Sequence, residues 1–433
     1  MKVFKSHCQT IIIKGGKIVI PNEKVIANAG LLIQNGIIKQ IKIGRESIED
    51  KTVIELTDNE YISPGFIDMH CHLREPGFTK SETIASGTLS AICGGFCRVS
   101  CMPNTRPALD SPKLVKLVKD KAEQAGNALV SVIGAVTKGR KGKELVDMEK
   151  MVEAGVVAFS DDGSPISNPE IMREALLFSK KYKVPIINHC EVLTLSAGGM
   201  LNLGYVSKKL GVKGIPDSAE SIMVLRDILL AEQTRGWVHI AHVSTAKSVK
   251  LIQWAKKQGI KVTAETCPHY LTLTDKDCLS LDTNYKVSPP LRTKQDVEAI
   301  KQGLVDGSID VIATDHAPWH RSYKQKPWSQ AKSGMIGFET AFAIGYQELV
   351  LKKYLSLERF IACLTTKPAQ IINKPVQLTQ GALASITIFD LSKRWLVREE
   401  DIVSKSKNSP FIGRKLKGKV TRVILNNTIF TIN

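Results

Sequence analysis

Ser63-Pro64-Gly65-Phe66-Ile67-Asp68-Met69-His70-Cys71-His72-Leu73-Arg74 reads as a buried strand that ends in two histidines one residue apart. Residues i and i+2 of a strand point to the same side, so His70 and His72 can bind one cation from a single edge. Arg74 follows two residues later, where it can hold an anion beside that cation. The run points to a metal-dependent enzyme acting on a small, negatively charged molecule.

Outward from this run the chain alternates regularly. Candidate strands at 61–70, 96–102, 128–136, 156–160, 184–189, 237–242, 261–266 and 309–314 are separated by amphipathic helical stretches such as 168–182, 218–234, 246–258 and 294–306. Eight apolar strands with helices between them predict an α/β fold, a parallel (β/α)8 barrel of TIM type over 63–379. A doubly wound open sheet is the other solution for such a pattern, but no glycine-rich phosphate loop follows the first strand. The N-terminal residues read instead as short strands, 10–13, 17–20, 31–34 and 37–41, with hairpin punctuation at Gly15-Gly16 and Asn35-Gly36. Asn-Gly between apolar runs is a strong hairpin signal. Similar material returns at 384–388, 420–425 and 428–432. The expectation is one small β-rich domain built from both termini, 1–62 with 380–433.

The 433 residues and 43% apolar content suit one enzyme-sized barrel plus a small accessory domain. No stretch approaches the roughly 18 apolar residues of a membrane span, and the N-terminus lacks the apolar core of a signal peptide. A cytoplasmic location is expected. The nine cysteines are odd in number, and several lie in apolar runs, as reduced core thiols do. Cys93, Cys97 and Cys101 are evenly spaced, but Gly94-Gly95 interrupts them and a strand would hold Cys97 and Cys101 far apart, so no metal cluster is read there. The formal charge of +18 is spread over helix faces and the C-terminal tail without interleaved aromatics. That pattern argues against a nucleic-acid footprint and favours anionic small molecules or an acidic partner.

In a parallel barrel the chemistry gathers at the C-terminal ends of the strands. Those positions carry His70, His72, Asp162, His189, His242 and Asp315. Four imidazoles and two carboxylates at one mouth suit two divalent ions such as Zn²⁺. His239 lies mid-strand and is assigned to the core, and His7, His269, His316 and His320 receive no metal role.

The opening run, extended through Glu75-Pro76-Gly77, resembles the signature of the dihydroorotases in the cyclic amidohydrolase superfamily. So do Met102-Pro103-Asn104-Thr105-Arg106-Pro107, Phe159-Ser160-Asp161-Asp162-Gly163, Asn188-His189-Cys190-Glu191, Ala241-His242-Val243-Ser244-Thr245, Ala313-Thr314-Asp315-His316-Ala317-Pro318 and Asn408-Ser409-Pro410-Phe411-Ile412-Gly413. The resemblance is to the monofunctional bacterial and archaeal type. It implies a zinc enzyme with two ions per subunit, cyclising N-carbamoyl-L-aspartate to L-dihydroorotate and water in pyrimidine biosynthesis. It further implies that His70 and His72 hold one metal, His189 and His242 the other, and that Asp162 bridges them. Asp315 would be ligand and acid/base, and Arg74 and Asn104 would take the substrate carboxylate. A homo-oligomer, in contact with aspartate carbamoyltransferase, is the implied assembly.

Three substrate-side positions depart from the family pattern. Trp319 stands where a carboxylate-binding His usually follows Asp-His-Ala-Pro, with His320 next. Ser288 replaces an Asn before Pro289-Pro290-Leu291-Arg292, and Lys332-Ser333-Gly334 replaces a Pro-Phe-Gly stretch. Ser288, Trp319, Ser333 and Gly334 are expected to line the pocket. Tryptophan offers one N–H donor and no acceptor, so a histidine-like role passes to His320 or is lost. Two other functions compete. An allantoinase or hydantoinase is favoured slightly by Thr266-Cys267-Pro268-His269-Tyr270, although those enzymes usually bridge their metals with a carboxylated lysine. A non-catalytic subunit supporting aspartate carbamoyltransferase would be expected to lose ligands, and all six are present.

Overall fold

The computed structural model describes residues 1–27, 30–41 and 51–433. Eight parallel strands follow one another around a barrel: β1 (Phe66–Cys71), β2 (Phe96–Cys101), β3 (Leu129–Gly134), β4 (Val156–Ser160), β5 (Ile186–Asn188), β6 (Val238–Ile240), β7 (Val262–Thr266) and β8 (Val311–Ile312). Seven fall inside stretches read as strands from the sequence, and β1 runs one residue past its expected end, to Cys71. Apart from Leu129 and Val130 at the start of β3, their apolar residues are buried on both faces, as a sheet covered by helices requires. The seam between β8 and β1 is closed without a full ladder. The His72 amide donates to the His316 carbonyl at 2.9 Å. The fully buried Asp68 carboxylate accepts from Thr314 N at 2.9 Å and Thr314 Oγ1 at 2.5 Å. A polar side chain on the first strand thus anchors the last.

Local signals set the helix ends. Pro169 opens the helix Pro169–Tyr182 at a position that needs no N–H, while Asn168 Oδ1 accepts from the Glu170 amide at 2.9 Å. Pro112–Ala125 closes on Gly126 at φ +60°, the left-handed conformation that glycine adopts without penalty. The helix Thr366–Ile371 and its extension pack Ile371 and Ile372 against Ile67, Met69, Val157, Ile187 and Val311 of the strands.

Among the described residues the second sheet has nine strands and draws on both ends of the chain. Val3–His7, Thr428–Ile432, Lys415–Leu425, Ser385–Leu396, Lys51–Pro64, Thr10–Ile20, Gly30–Gln34 and Ile37–Ile41 lie side by side in that order, with Lys24–Ala27 paired to Thr10–Ile20. Asn35 and Gly36, at φ +50° and +75°, make the tight hairpin that their sequence announces. Gly15-Gly16 does something else. Thr10–Ile20 is one continuous strand, and the glycine pair forms a bulge pressed onto its parallel neighbour, where a Cβ on Gly15 would meet the Leu56 carbonyl oxygen at 2.6 Å. The bulge separates two registers, so the strand pairs with Gly30–Gln34 before it and with Lys24–Ala27 after it. Residues 402–411 leave this sheet and run along the barrel rim. Ser404 and Lys405 bond Glu82 there, and Asn408 bonds Trp319.

Candidate metal centre

The strand ends bring His70, His72, Asp162, His189, His242 and Asp315 together, each no more than 6% exposed. Asp162 is the hub. His70 Nε2 lies 3.4 Å and His242 Nε2 3.5 Å from its Oδ1, His72 Nε2 is 3.6 Å from its Oδ2, and His189 Nδ1 is 3.9 Å from Oδ1. Two triads result, His70 with His72 and Asp162, and Asp162 with His189 and His242. In each, the ligand atoms lie within 4.8 Å of one another. Asp315 Oδ1 approaches His72 Nε2 at 3.0 Å. Asp161, the neighbouring candidate in Asp161-Asp162-Gly163, points away and accepts from the amides of Val136 and Thr137 at 2.9 and 3.1 Å.

Three of the four ring nitrogens that face away from Asp162 are held, and the fourth, His242 Nδ1, is buried without a hydrogen bond. His70 Nδ1 meets Glu265 Oε1 at 2.5 Å, His72 Nδ1 meets Asn104 Oδ1 at 2.8 Å, and His189 Nε2 meets Glu191 Oε2 at 3.0 Å. Each acceptor fixes a tautomer that presents the other nitrogen inward. Meanwhile His70 Nε2 and Asp162 Oδ1 are buried without a hydrogen bond. Buried polar atoms rarely lack partners, and imidazole nitrogens with a carboxylate suit a divalent cation such as zinc. The residues therefore fit a metal. Electrostatics agree. Burial opposes charge on Asp162, yet His70, His242 and His72 hold its carboxyl well below the usual carboxylate range. Burial likewise opposes a proton on His70, while Glu265 and Asp162 lift its pKa well above the ordinary value. A cation at this point takes the place of that proton.

A cavity of about 460 Å³ opens over the cluster and is lined by Arg74, Asn104, Ser288, Trp319, Ser333 and Gly334. Arg74 is 5% exposed. Its Nε donates to the Pro318 carbonyl at 3.0 Å, and its guanidinium sits 4.1 Å from the centre of the Trp319 ring. Burial lowers its pKa to about 10, which leaves it charged at neutral pH. The Asn104 amide is already engaged, with Nδ2 donating to Asp162 Oδ2 at 3.3 Å. Trp319 Nε1 spends its one proton on the Ser333 carbonyl at 2.8 Å. His320 does not inherit the missing histidine's place. Its Nδ1 contacts Ser322 at 2.9 Å, and it lines a separate cavity.

Several contributors escaped the sequence reading. Glu265 was visible as the lone carboxylate in an apolar strand. Glu191 sat inside a quoted motif. Arg140, whose guanidinium donates to the carbonyls of Asp161 and Asp162 and so ties down the Asp162 turn, lies in a single 3-10 turn, Lys138–Arg140, too short to show a periodicity. His239 is in the interior as expected, but it is not inert, since its Nε2 faces Glu265 Oε2 at 3.3 Å. His269, 2% exposed, lies with Cys267 and Asp315 in a third compact group. Burial keeps the Cys267 thiol protonated and lowers His269 to about 4.

A parallel eight-stranded barrel with this cluster at its mouth is the frame of a metal-dependent hydrolase. The chain superposes on the L-hydantoinase of Arthrobacter aurescens with a TM-score of 0.85 at 23% identity, covering 98% of this chain and 96% of that one. It superposes on a D-hydantoinase from Bacillus sp. AR9 with a TM-score of 0.83 at 23% identity over 97% and 95%. At these identities the likeness is one of fold. Sequence is more specific. Residues 59–248 match the profile of the Dihydro-orotase-like family. The dihydroorotase of Caldicellulosiruptor saccharolyticus is 46% identical over 97% of this chain and 98% of its own length, and that of Acetivibrio thermocellus is 45% identical over 97% and 98%. The chain belongs to the dihydroorotase family.

Proposed function

We propose that the chain is a dihydroorotase, interconverting L-dihydroorotate plus water and N-carbamoyl-L-aspartate in pyrimidine biosynthesis. The observation that carries this reading is the charged Arg74 guanidinium in the same cavity as the His/Asp cluster. A ring bearing a carboxylate fits both, with its cyclic amide over the cluster and its anion on the arginine.

His70 and His72 would hold one Zn²⁺, His189 and His242 a second, with Asp162 between them and Asp315 on the first. Bound divalent ions lower the pKa of water toward ~7 and polarise a carbonyl as Lewis acids. The chain's own groups do the rest. Glu265, Asn104 and Glu191 keep the imidazoles oriented. Asp315 accepts a proton on its carboxylate as water adds to the ring carbonyl and delivers it to the departing ring nitrogen. In the reverse direction the ureido nitrogen attacks the side-chain carboxyl carbon, the C–N bond forms, and water leaves. Burial opposes the charge on Asp315, but the hydrogen bond from His72 and the charges of His70 and His72 lower its pKa, so at neutral pH it begins as a base. Arg74 anchors the substrate carboxylate. The expected setting is cytoplasmic and homo-oligomeric, and the +18 charge suits an acidic partner such as aspartate carbamoyltransferase. No described helix is long and apolar enough to cross a membrane.

The test supplies purified protein and Zn²⁺ with L-dihydroorotate, hydantoin and allantoin in parallel, with Asp315→Asn as control. Turnover of dihydroorotate alone, lost in the variant, is the expected result. Turnover of hydantoin or allantoin without dihydroorotate would overturn the reading. Metal counting on the same sample reads one ion or two.

A further inference from the structure

The cavity holds a cation that the reading above does not use. Lys332 lies on the rim in the segment Lys332-Ser333-Gly334, and its Nζ stands 5.9 Å from the centre of the Trp319 ring, the same indole that carries Arg74 at 4.1 Å. Among the described residues no carboxylate or carbonyl takes the Lys332 ammonium. Arg74 in turn uses only Nε within the protein, which leaves its two terminal nitrogens for a ligand. The scaffold between them is rigid. Trp319 Nε1 bonds the Ser333 carbonyl, and the Trp319 amide bonds Asn408 Oδ1 at 3.1 Å. The backbone of Gly334, at φ +131°, passes so close that a Cβ there would meet Ala317 Cβ at 2.8 Å. The tryptophan therefore fixes the very segment that bears Lys332.

We infer that Lys332 is a specificity-determining residue, the second positive charge that receives the substrate carboxylate opposite Arg74, with Trp319 as the platform that positions both. The inference rests on the dihydroorotase reading and assigns the anion subsite a residue pair. Trp319 cannot donate to the anion itself, because its only N–H is spent. A cation held on an aromatic face keeps its charge available while losing side-chain freedom, so the ordering cost on binding falls. An exposed ammonium added to a buried guanidinium is a modest contributor, worth about two- to fivefold in affinity.

The experiment measures kcat and KM for L-dihydroorotate in the zinc-loaded wild-type enzyme and in Lys332→Gln and Lys332→Arg. It adds inhibition constants for orotate, which carries the carboxylate, and acetohydroxamate, which is uncharged and addresses the metal alone. The Gln variant is expected to raise KM and the orotate constant together by about two- to fivefold, with kcat and the acetohydroxamate constant unchanged, and the Arg variant to restore both. An unchanged KM in Lys332→Gln, an acetohydroxamate constant that shifts in parallel, or an Arg variant as impaired as Gln would overturn the inference. Failure of the wild-type enzyme to turn over dihydroorotate would instead sink the activity on which it rests.

Discussion

Glu265→Gln isolates what a buried carboxylate does behind a proposed metal ligand, His70. Glu265 is fully buried, with Oε1 at 2.5 Å from His70 Nδ1 and Oε2 at 3.3 Å from His239 Nε2. Burial alone would push its pKa up, yet His70 and His239 outweigh burial and hold the carboxyl well below the usual range. The amide keeps the shape and one acceptor oxygen but removes the charge that makes His70 a stronger donor to a cation. Losing such an outer partner typically weakens metal binding by about 10- to 100-fold, or about 1.4 to 2.8 kcal/mol. Competition of the apoprotein against a chromophoric zinc chelator measures this directly. Turnover at saturating Zn²⁺ should change far less, since Glu265 does not line the cavity. Glu265→Ala is harsher, because it strands two buried imidazole nitrogens, and should cost about 3–5 kcal/mol of stability in urea unfolding. A zinc affinity in Glu265→Gln equal to wild type would refute the claim that this carboxylate tunes His70.

Asp315→Asn should retain folding and most of its metal while turnover falls by about 10²–10⁴-fold, the usual worth of a positioned acid/base, as read by ultraviolet assay with metal counting alongside. His269 gives a pH signature. Its folded pKa of about 4 lies below the ordinary 6.5, so its contribution is fully present above pH 6.5 and is lost as pH falls toward 4. The loss is of order 3 kcal/mol. Urea unfolding of metal-free protein between these pH values should show a steeper decline in wild type than in His269→Asn, and equal slopes would contradict the assignment. Gly94→Ala should destabilise by about 1–3 kcal/mol with no change in zinc affinity, because its Cβ would sit 2.2 Å from the Phe338 carbonyl oxygen although φ is an ordinary −84°. Thermal melting checks it.

What the sequence made legible, and what it did not, divides on physical lines. Strand ends could be read because a His or Asp at the end of an apolar run breaks the local pattern, and period two says which side it faces. Glu265 obeys the same rule and could have been found, since a carboxylate among Val262, Ala264 and Thr266 must have a buried partner. Gly15-Gly16 misled because a glycine pair serves a turn and a bulge equally well. Only the parallel neighbour, joined through residues far along the chain, decides between them. Backbone strain was also out of reach. Arg74, His242 and Asp315 sit at φ +59°, +32° and +45°, conformations that cost a non-glycine residue about 1–3 kcal/mol each and that only the assembled barrel holds in place. Loop cations such as Arg140 and Lys332 carry no periodic mark, and their roles depend on which turn they reach.

The two halves of the site rest on different parts of the molecule. The ligand cluster hangs on strand ends, and its outer partners, such as Glu265 on β7 and Asn104 just beyond β2, lie on or close to the barrel strands. The anion side is assembled from loops and, less expectedly, from the C-terminal segment. Asn408 donates to the carbonyls of Ala317 and Gly334 at 3.1 and 3.0 Å and accepts from the Trp319 amide. One side chain beyond the barrel thus clamps both loops that shape the anion subsite. The L-hydantoinase of Arthrobacter aurescens shares this fold at 23% identity. Metal chemistry is constrained by eight strands that must pack against one another, whereas the choice of ring depends on a few loop contacts that can change without disturbing the core. Substitutions at Asn408, Trp319 or Lys332 should therefore move KM and substrate preference, and those at Glu265 or Asn104 metal affinity.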